Sequence, residues 1–538
     1  MKNFLKNKVT IASILILVIS SVLYHNKSFY NFFYTKINPS ISELVGKNIL
    51  FGINRVVHCV DIVGKVKQLS NSLNQDDFID LQIKKKEVKF LKKLLKTRPV
   101  KKKWVDIDLV FNDLKTPAKL KYHGSSDAQY NGGKYSYTVE IESGHENSSL
   151  FKRFKLIKGQ EADPTLISIN KIANSLGLIS AYGEMKILRI NGEEIGDYYY
   201  VEDIKNDFLS REYQVKNYST ISHISDWSRK EYINGNGHNS DQDLKVIHIE
   251  KKSDSLHPFA IYRYRKMCAY ILDNNIDSLK TMIDIEYMAK YLTLASLFND
   301  VHFMTGDNLK FIYNFNNSKF YPIFRAESGG FPINVEFPVN YVNFDKFLFN
   351  SRGLSYSKSQ TAKYFKLLLS DNEFRNLRNK ELYKLTKSKD SLIEEIYKTY
   401  DNNRIVMLHS GRSRRAFSYQ KQQQIEILET TFDFANKYLN YCHIYGTYDV
   451  FTKEIEILTD AFSSIKILKK DSLIDNHING INLNKNLEFN YNYEKYKIQS
   501  FSKEDFIFIN NVTKDTIIDH VYFNYMNSSP LSDSSLLK

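Results

Sequence analysis

The sequence predicts an α+β protein: an N-terminal transmembrane helix, a bilobal domain made of an antiparallel β-lobe and a helical lobe, and a small C-terminal all-β domain. Three observations predict it. Apolar and polar residues alternate with period two from Trp104 to Asp203. Helical periodicity takes over from about position 256, and period two returns after Asp449. At 538 residues the chain exceeds one ordinary core. Its hydrophobic content of 42% and aromatic content of 14% exclude a globally disordered protein. The +14 net charge is discounted in part, because the abundance of Lys, Asn, Ile, Tyr and Phe has the look of an AT-rich genome.

The first element is the uncharged run VTIASILILVISSVLY, positions 9–24, behind a basic flank. As a helix it spans roughly 24 Å, a little short of a ~30 Å hydrocarbon core. It reads as an uncleaved signal anchor, with a cleaved signal peptide as the alternative. The positive-inside bias places Lys2, Lys6 and Lys8 in the cytoplasm and the bulk of the chain outside it, anchored in the cell envelope. Residues 1–28 are therefore tail and anchor, and 29–103 a stalk ending in the basic stretch 82–103. In that stretch Ile83, Phe90, Leu91, Leu94 and Leu95 form a partial apolar stripe among lysines. It suits either contact with acidic lipid or packing of one face on the next domain. Cys59, Cys268 and Cys442 have no metal spacing and read as unrelated buried residues.

Residues 104–445 form the main domain, with the β-lobe over 104–203. Its expected strands are 105–111, 118–123, 135–141, 151–157, 185–190 and 195–203. A helix is inserted between the fourth and fifth, with Asp163 as N-cap, Pro164 at its first position and Gly177 ending it. Asn191-Gly192 makes a hairpin turn. Residues 204–255 are polar and read as loop; the helical lobe runs over 256–445, interrupted by a hairpin of LKFIYNF and KFYPIFRA. The final domain, 446–538, carries VFTKEIEIL, SIKILK, FIFIN and HVYFNY as strands.

The chemistry concentrates in SLFNDVHFMTGDNLKFIY, 296–313, where an apolar helix ends in Asn299-Asp300 and a strand begins just after Asp307-Asn308. A β-lobe, a helical lobe and a carboxylate–asparagine segment between them is a layout used for phosphoryl transfer. Asp, Asn and Glu are also the hard oxygen donors that Mg²⁺ requires.

Three blocks in order resemble the CotH family, the spore-coat-protein-H-like atypical kinases: HGSSDAQYNGGKYSYTVEI, INGEEIGDYYYVEDI and NDVHFMTGDNLKFIYNFNNSKFYPI. The blocks fall within about 105–330. The resemblance implies that ATP is the donor, with Mg²⁺ or Mn²⁺, and that a hydroxyl of a protein or surface glycan accepts the phosphate. It implies Asp300 as the catalytic carboxylate, Asn308 as a metal ligand and Lys134 as the phosphate-binding lysine. Glu161 is its expected carboxylate partner, Glu202 the residue where a hinge meets the adenine, and Ser125 and Ser126 a phosphate cover. The family follows Pro-Ile with Trp-Asp; here the chain reads PIFRAESGG, so Ala326 takes the place of the metal-binding Asp and Glu327 is the nearest carboxylate.

Other readings stay open. Each of these residues also has a structural reading, as surface lysine, turn residue or helix end. His302 is expected to be structural, and the Arg412, Arg414, Arg415 loop either binds an anion or caps a helix. The missing Asp favours a catalytically degenerate binding or assembly module for envelope or capsule polymer. The C-terminal domain is a candidate for glycan binding. Nucleic acid is not an expected partner, since no such motif occurs and the chain is expected outside the membrane.

Overall fold

In the computed structural model, residues 73–97, 100–111, 113–124, 135–142, 151–158, 164–223, 247–249, 256–298, 309–326, 360–410, 414–469, 475–479, 482–483, 489–490, 492–497 and 501–526 are described. The chain divides into two compact units. One comprises Met1–Lys171, Ala181–Phe208 and Ile393–Glu426; the other comprises Ile172–Ser180, Leu209–Leu392 and Ile427–Lys538.

The first unit is built on β1 (Phe78–Gln82), α1 (Lys85–Leu94), β2 (Val105–Phe111), β3 (Leu114–Tyr122), β4 (Tyr137–Ile141), β5 (Arg153–Lys158), α2 (Pro164–Ser175, whose last turn belongs to the second unit), β6 (Gly183–Ile190) and β7 (Glu193–Glu202). These seven strands close into a barrel, in the order β1-β2-β3-β4-β5-β7-β6. The closing pair is parallel, with Phe78 opposite Ile187 and Leu81 opposite Ile190. Closure removes the unpaired edges that an open lobe would carry. Asn191 locks the seam. It and Gly192 take φ of 54° and 82°, the left-handed pair of a tight hairpin. The Asn191 Oδ1 accepts from Ile83 N at 2.7 Å, and its Nδ2 donates to Ile83 O at 3.0 Å, so the turn side chain grips the end of β1.

The barrel interior is packed, not hollow. Ile79, Leu81, Leu109, Leu120, Val139, Phe154 and Leu156 are fully buried in one cluster. Leu91 and Leu94 of α1 join that cluster, so the basic helix buries one face and leaves lysines outside. Helix α2 begins at Pro164 and ends in a Schellman-type cap: Gly177 has φ of 82°, and Leu178 N donates to Ala173 O at 3.0 Å.

The second unit follows with α3 (Asn206–Tyr213, begun in the first unit), β8 (Tyr218–His223), β9 (Ile247–Ile249), α4 (His257–Leu272), α5 (Ile276–Met282), α6 (Ile285–Phe298), β10 (Lys310–Asn314) and β11 (Lys319–Pro322). Four helices come next: α7 (Gln360–Ser370), α8 (Asn372–Lys387), α9 (Lys389–His409) and α10 (Arg414–Asn440). Most of α9 and the first half of α10 belong to the first unit. The strands β12 (Ile444–Asp449), β13 (Glu454–Thr459), β14 (Ile465–Lys469), β15 (Asp475–Ile478), β16 (Asn482–Leu483), β17 (Phe489–Asn490), β18 (Asn492–Lys497), β19 (Phe506–Asn510), β20 (Thr516–Ile517) and β21 (Val521–Met526) complete the chain. They form two four-stranded sheets, β18-β13-β12-β21 and β15-β14-β19-β20, and the small pair β16-β17.

The expected fold class is corrected here. The β-rich part is a closed seven-stranded barrel rather than a lobe of a bilobal kinase-like domain, and it recruits β1 from the expected stalk. The stretch expected to be loop holds β8 and β9, which extend the β10–β11 hairpin into a further four-stranded sheet, β11-β10-β8-β9. Among the described residues no helix is long and apolar enough to cross a membrane. The run at 9–24 lies outside the described residues, so no N-terminal transmembrane helix is shown. Cys268 and Cys442 are free and buried, and burial pushes both thiols up to about 12.

Gly183 of β6 and Gly446 of β12 are strand positions where a side chain would strike a close neighbour, the Tyr200 carbonyl oxygen at 1.8 Å in the first case. A Cβ on Gly446 of β12 would lie 2.1 Å from two ring carbons of Phe523, which faces it on β21. Gly446→Val is expected to destabilise the second unit by about 1–3 kcal/mol through overpacking. Thermal unfolding of the variant, and of the same variant carrying Phe523→Ala, checks this. The second change should recover part of the loss, because it removes the ring that the new methyls strike.

Candidate functional site

Two places in the described chain bear on the expected chemistry. In the second unit, α6 is buried along nearly its whole length, from Tyr287 to Phe298. Its first turn is fixed by Tyr287, whose hydroxyl accepts from Ile179 N at 2.9 Å and donates to Pro322 O at 2.6 Å. Phe324 N also donates to Ile179 O at 2.9 Å. The helix, the 178–180 turn and the end of β11 are thus one hydrogen-bonded assembly. Segment 299–308 leaves this helix at Leu297 and Phe298, 1% and 8% exposed, and rejoins the hairpin at Leu309, 1% exposed. Residues 299–308 themselves lie outside the described residues. The β10–β11 hairpin pairs Phe311 with Pro322 and Asn314 with Lys319, as expected.

In the first unit, an ion-pair cluster covers the outer face of β3, β4, β5 and β7. Register places Lys119, Glu140 and Arg153 in one row and Lys121, Thr138 and Lys155 in the next. Side chains two apart share a face, so all of these project outward while Leu120, Val139, Phe154 and Leu156 fill the barrel. Asp203, just past β7, stands beside this ladder: Lys155 Nζ is 2.8 Å from Oδ1 and Arg153 Nε 2.8 Å from Oδ2. The Arg153 Nε contact is an ion pair without hydrogen-bond alignment. Arg153 also hydrogen-bonds Glu140 at 3.0 Å. Lys121 Nζ lies 4.4 Å from the Trp104 ring centroid, with the Arg153 guanidinium 5.5 Å from the same ring.

The electrostatics follow from this geometry. Burial alone would raise the Asp203 carboxyl, but the charge and hydrogen bond of Lys155, then Arg153 and Lys205, hold it well below the usual carboxylate range. It is therefore ionised at neutral pH and a poor proton acceptor. Lys121 is lowered, first by burial and then by the neighbouring charge of Arg153. The cluster is chemically a lattice of cations around a committed carboxylate.

Of the expected site residues, only Glu202 is described. It is 5% exposed, opposite Phe154 on the inner side of β7, and next to Asp203, which points outward. Asp300, Lys134, Glu161, Ser125, Ser126, Asn308 and Glu327 lie outside the described residues, as do His302 and the Arg412, Arg414 and Arg415 side chains. Segment 125–134, carrying Lys134, leaves the barrel from the end marked by Tyr122 and Tyr137, which pair with each other. Ala326, at the position where the resemblance expects an Asp, is buried at 5% exposure. Among the described residues no group of three His, Cys, Asp or Glu could hold a metal ion.

Sequence reasoning missed the Asp203 cluster. The i, i+2 spacing of Arg153 and Lys155 signalled a shared outer face. Their carboxylate could not be found that way, because β5 pairs with β7 and not with its neighbour in sequence, β6. No protein-family model matches this chain, and no curated protein matches it.

Proposed function

We propose that the protein is a phosphotransferase that moves the γ-phosphoryl group of ATP onto a hydroxyl of a protein or a surface glycan. The observation that carries this reading is that the described residues on either side of Asp300 and Asn308, the buried end of α6 and the β10–β11 hairpin, belong to one hydrogen-bonded assembly. The three sequence blocks that resemble CotH proteins add independent support.

In this reading Asp300 accepts the proton of the acceptor hydroxyl as its oxygen bonds to the γ-phosphorus. The bond from that phosphorus to the β–γ bridging oxygen breaks, and ADP leaves. The resemblance gives phosphate binding to Lys134 with Glu161, Ser125 and Ser126; Glu202, inside the packed barrel, is not placed to meet a base. Asn308 with Glu327 would hold Mg²⁺ or Mn²⁺, which supplies neutralisation of phosphate charge. The buried Ala326 favours a second reading, in which the chain transfers nothing and serves as a binding or assembly module for envelope or capsule polymer.

Intact-mass spectrometry of the full-length protein with ATP and Mg²⁺ or Mn²⁺ tests both. A phosphate-sized addition that disappears in Asp300→Asn, with transfer at least 100-fold lower, is expected (about 3 kcal/mol in the barrier). An AMP-sized addition would replace phosphoryl by nucleotidyl transfer. No addition and no thermal shift with nucleotide would reject the enzyme and leave the second reading.

A further inference from the structure

The outer face of the β18-β13-β12-β21 sheet carries an arrangement that phosphoryl transfer does not use. Along β12 and the residues before it, Tyr441 meets His443 edge-to-face at 5.1 Å, and His443 stacks on Tyr445 at 6.2 Å between ring centroids. Beside them, His520, just before β21, lies 5.0 Å from His443, and Tyr522 on β21 lies 5.6 Å from Tyr445 at 20° between planes. Register explains the pairing, for Tyr445 is directly opposite Tyr522. Tyr445 and Tyr522 remain 40% and 49% exposed although they stack on each other. One member of the platform is oriented by hydrogen bonds. Asp460 accepts both the His443 backbone N–H and its ring Nδ1, the latter at 2.7 Å. Because a carboxylate only accepts here, Nδ1 carries the proton and the ring plane is set.

The next row on the same face is polar. Thr447 stands between Glu456 on β13 and Asn524 on β21, and Glu456 is opposite Lys495 on β18. Lys495 pairs with Glu456 at 3.1 Å and Lys497 with Glu454 at 3.9 Å. Although the whole chain carries +14, this face has each of its lysines opposite a glutamate, with Asp449 in addition. It therefore offers no surplus positive charge to a polyanion.

We propose that this face binds a neutral glycan, its sugar rings lying on Tyr445 and Tyr522 and its hydroxyls meeting the Thr447, Glu456 and Asn524 row. The apolar C–H face of a pyranose needs a flat aromatic surface, and its rim needs donors and acceptors alongside; the two rows supply these in register. Charge decides among occupants. A nucleic acid or anionic polymer would want uncompensated cations, and an apolar peptide or second copy would leave the polar row unmatched. The inference is independent of phosphoryl transfer, because it uses no residue of segment 299–308 or of the barrel.

Affinity electrophoresis of the full-length protein in gels containing laminarin, dextran or hydroxyethyl cellulose tests it, with heparin as the anionic comparison and no nucleotide present. Retardation by at least one neutral polysaccharide is expected. Tyr445→Ala and Tyr522→Ala should each weaken it 10-fold or more, and Tyr445→Phe should stay within about 2-fold of wild type, since the stacking face is kept. Equal melting temperatures would show that the Ala variants fold. No retardation by any neutral polysaccharide, unchanged retardation in Tyr522→Ala, or retention by heparin alone would overturn the proposal.

Discussion

Replacing Asp203 by Asn is expected to destabilise the first unit by about 3–5 kcal/mol at pH 7, because it leaves Lys155 and Arg153 crowded together with their shared carboxylate gone. Asp203 is 8% exposed, so water cannot take over that role. The pH dependence has a definite sign. The folded-state carboxyl titrates below its ordinary value of 3.8, so the unfolded chain binds the proton more readily. The stabilisation is complete above about pH 5 and is lost as pH falls through about 4 and below. The gap between wild type and Asp203→Asn should therefore be constant from pH 7 to about 5 and close in acid. Urea unfolding followed by tryptophan fluorescence is well placed to measure it. The chain has two tryptophans, and Trp104 sits in the cluster itself. A cycle with Lys155→Met separates the pair from its surroundings: the double variant should lose less than the sum of the single ones. A gap that persists unchanged at pH 3 would show that Asp203 acts through packing and not through charge.

Much of the fold was legible because period and punctuation are local signals. Strand β2 occupies the residues that alternation predicts, Pro164 opens α2, Gly177 closes it, and Asn191-Gly192 turns the hairpin. What sequence could not show was closure. FIDLQ is only five residues and pairs in parallel with β6, more than a hundred positions away. A strand that short carries little alternation to count, and the decision to close rests on side chains such as Asn191 reaching back to Ile83. Strands β8 and β9 were missed for a similar reason. They lie in polar sequence and become strands by pairing, β8 with β10 and β9 with β8.

The candidate site was legible in a different way. The anchors of segment 299–308, a buried helix end and a hairpin, follow from apolar patterning around Leu297 and Leu309. The Tyr445–Tyr522 platform was not legible, although HVYFNY was read as a strand. The rings meet only because β21 returns parallel to β12, a pairing between distant segments that no periodicity announces. Cluster and platform alike are products of strand order, which sequence reports least.

Arg378 is the other place where a single change should have a large effect. It is fully buried on α8 and spreads its guanidinium among Asn379 Oδ1 at 3.0 Å, the Tyr438 hydroxyl at 3.0 Å and Ser296 Oγ at 3.5 Å. Its backbone carbonyl accepts from Thr293 Oγ1 at 3.2 Å. Asn379 carries the network on to Phe462 O and Ser463 Oγ. Helix α6, helix α8, the end of α10 and the segment before β14 therefore share one polar knot inside an apolar interior. Arg378→Ala opens a cavity and strands several polar groups at once, for an expected loss of about 3–5 kcal/mol. Arg378→Met refills most of the volume and leaves only the polar groups unmet, so its loss should be smaller, about 1–3 kcal/mol. Unfolding of the two variants by urea checks that order, and equal losses would mean that volume is irrelevant at this site. The position of the knot adds a second consequence. Ser296 is in the last turn of α6, immediately before the segment that carries Asp300. On the proposed phosphotransferase reading, Arg378→Met, which loosens this end of α6, should reduce nucleotide-dependent transfer at temperatures where the protein remains folded. The same variant with full transfer would show that, on this reading, the Arg378 knot has no part in the reaction.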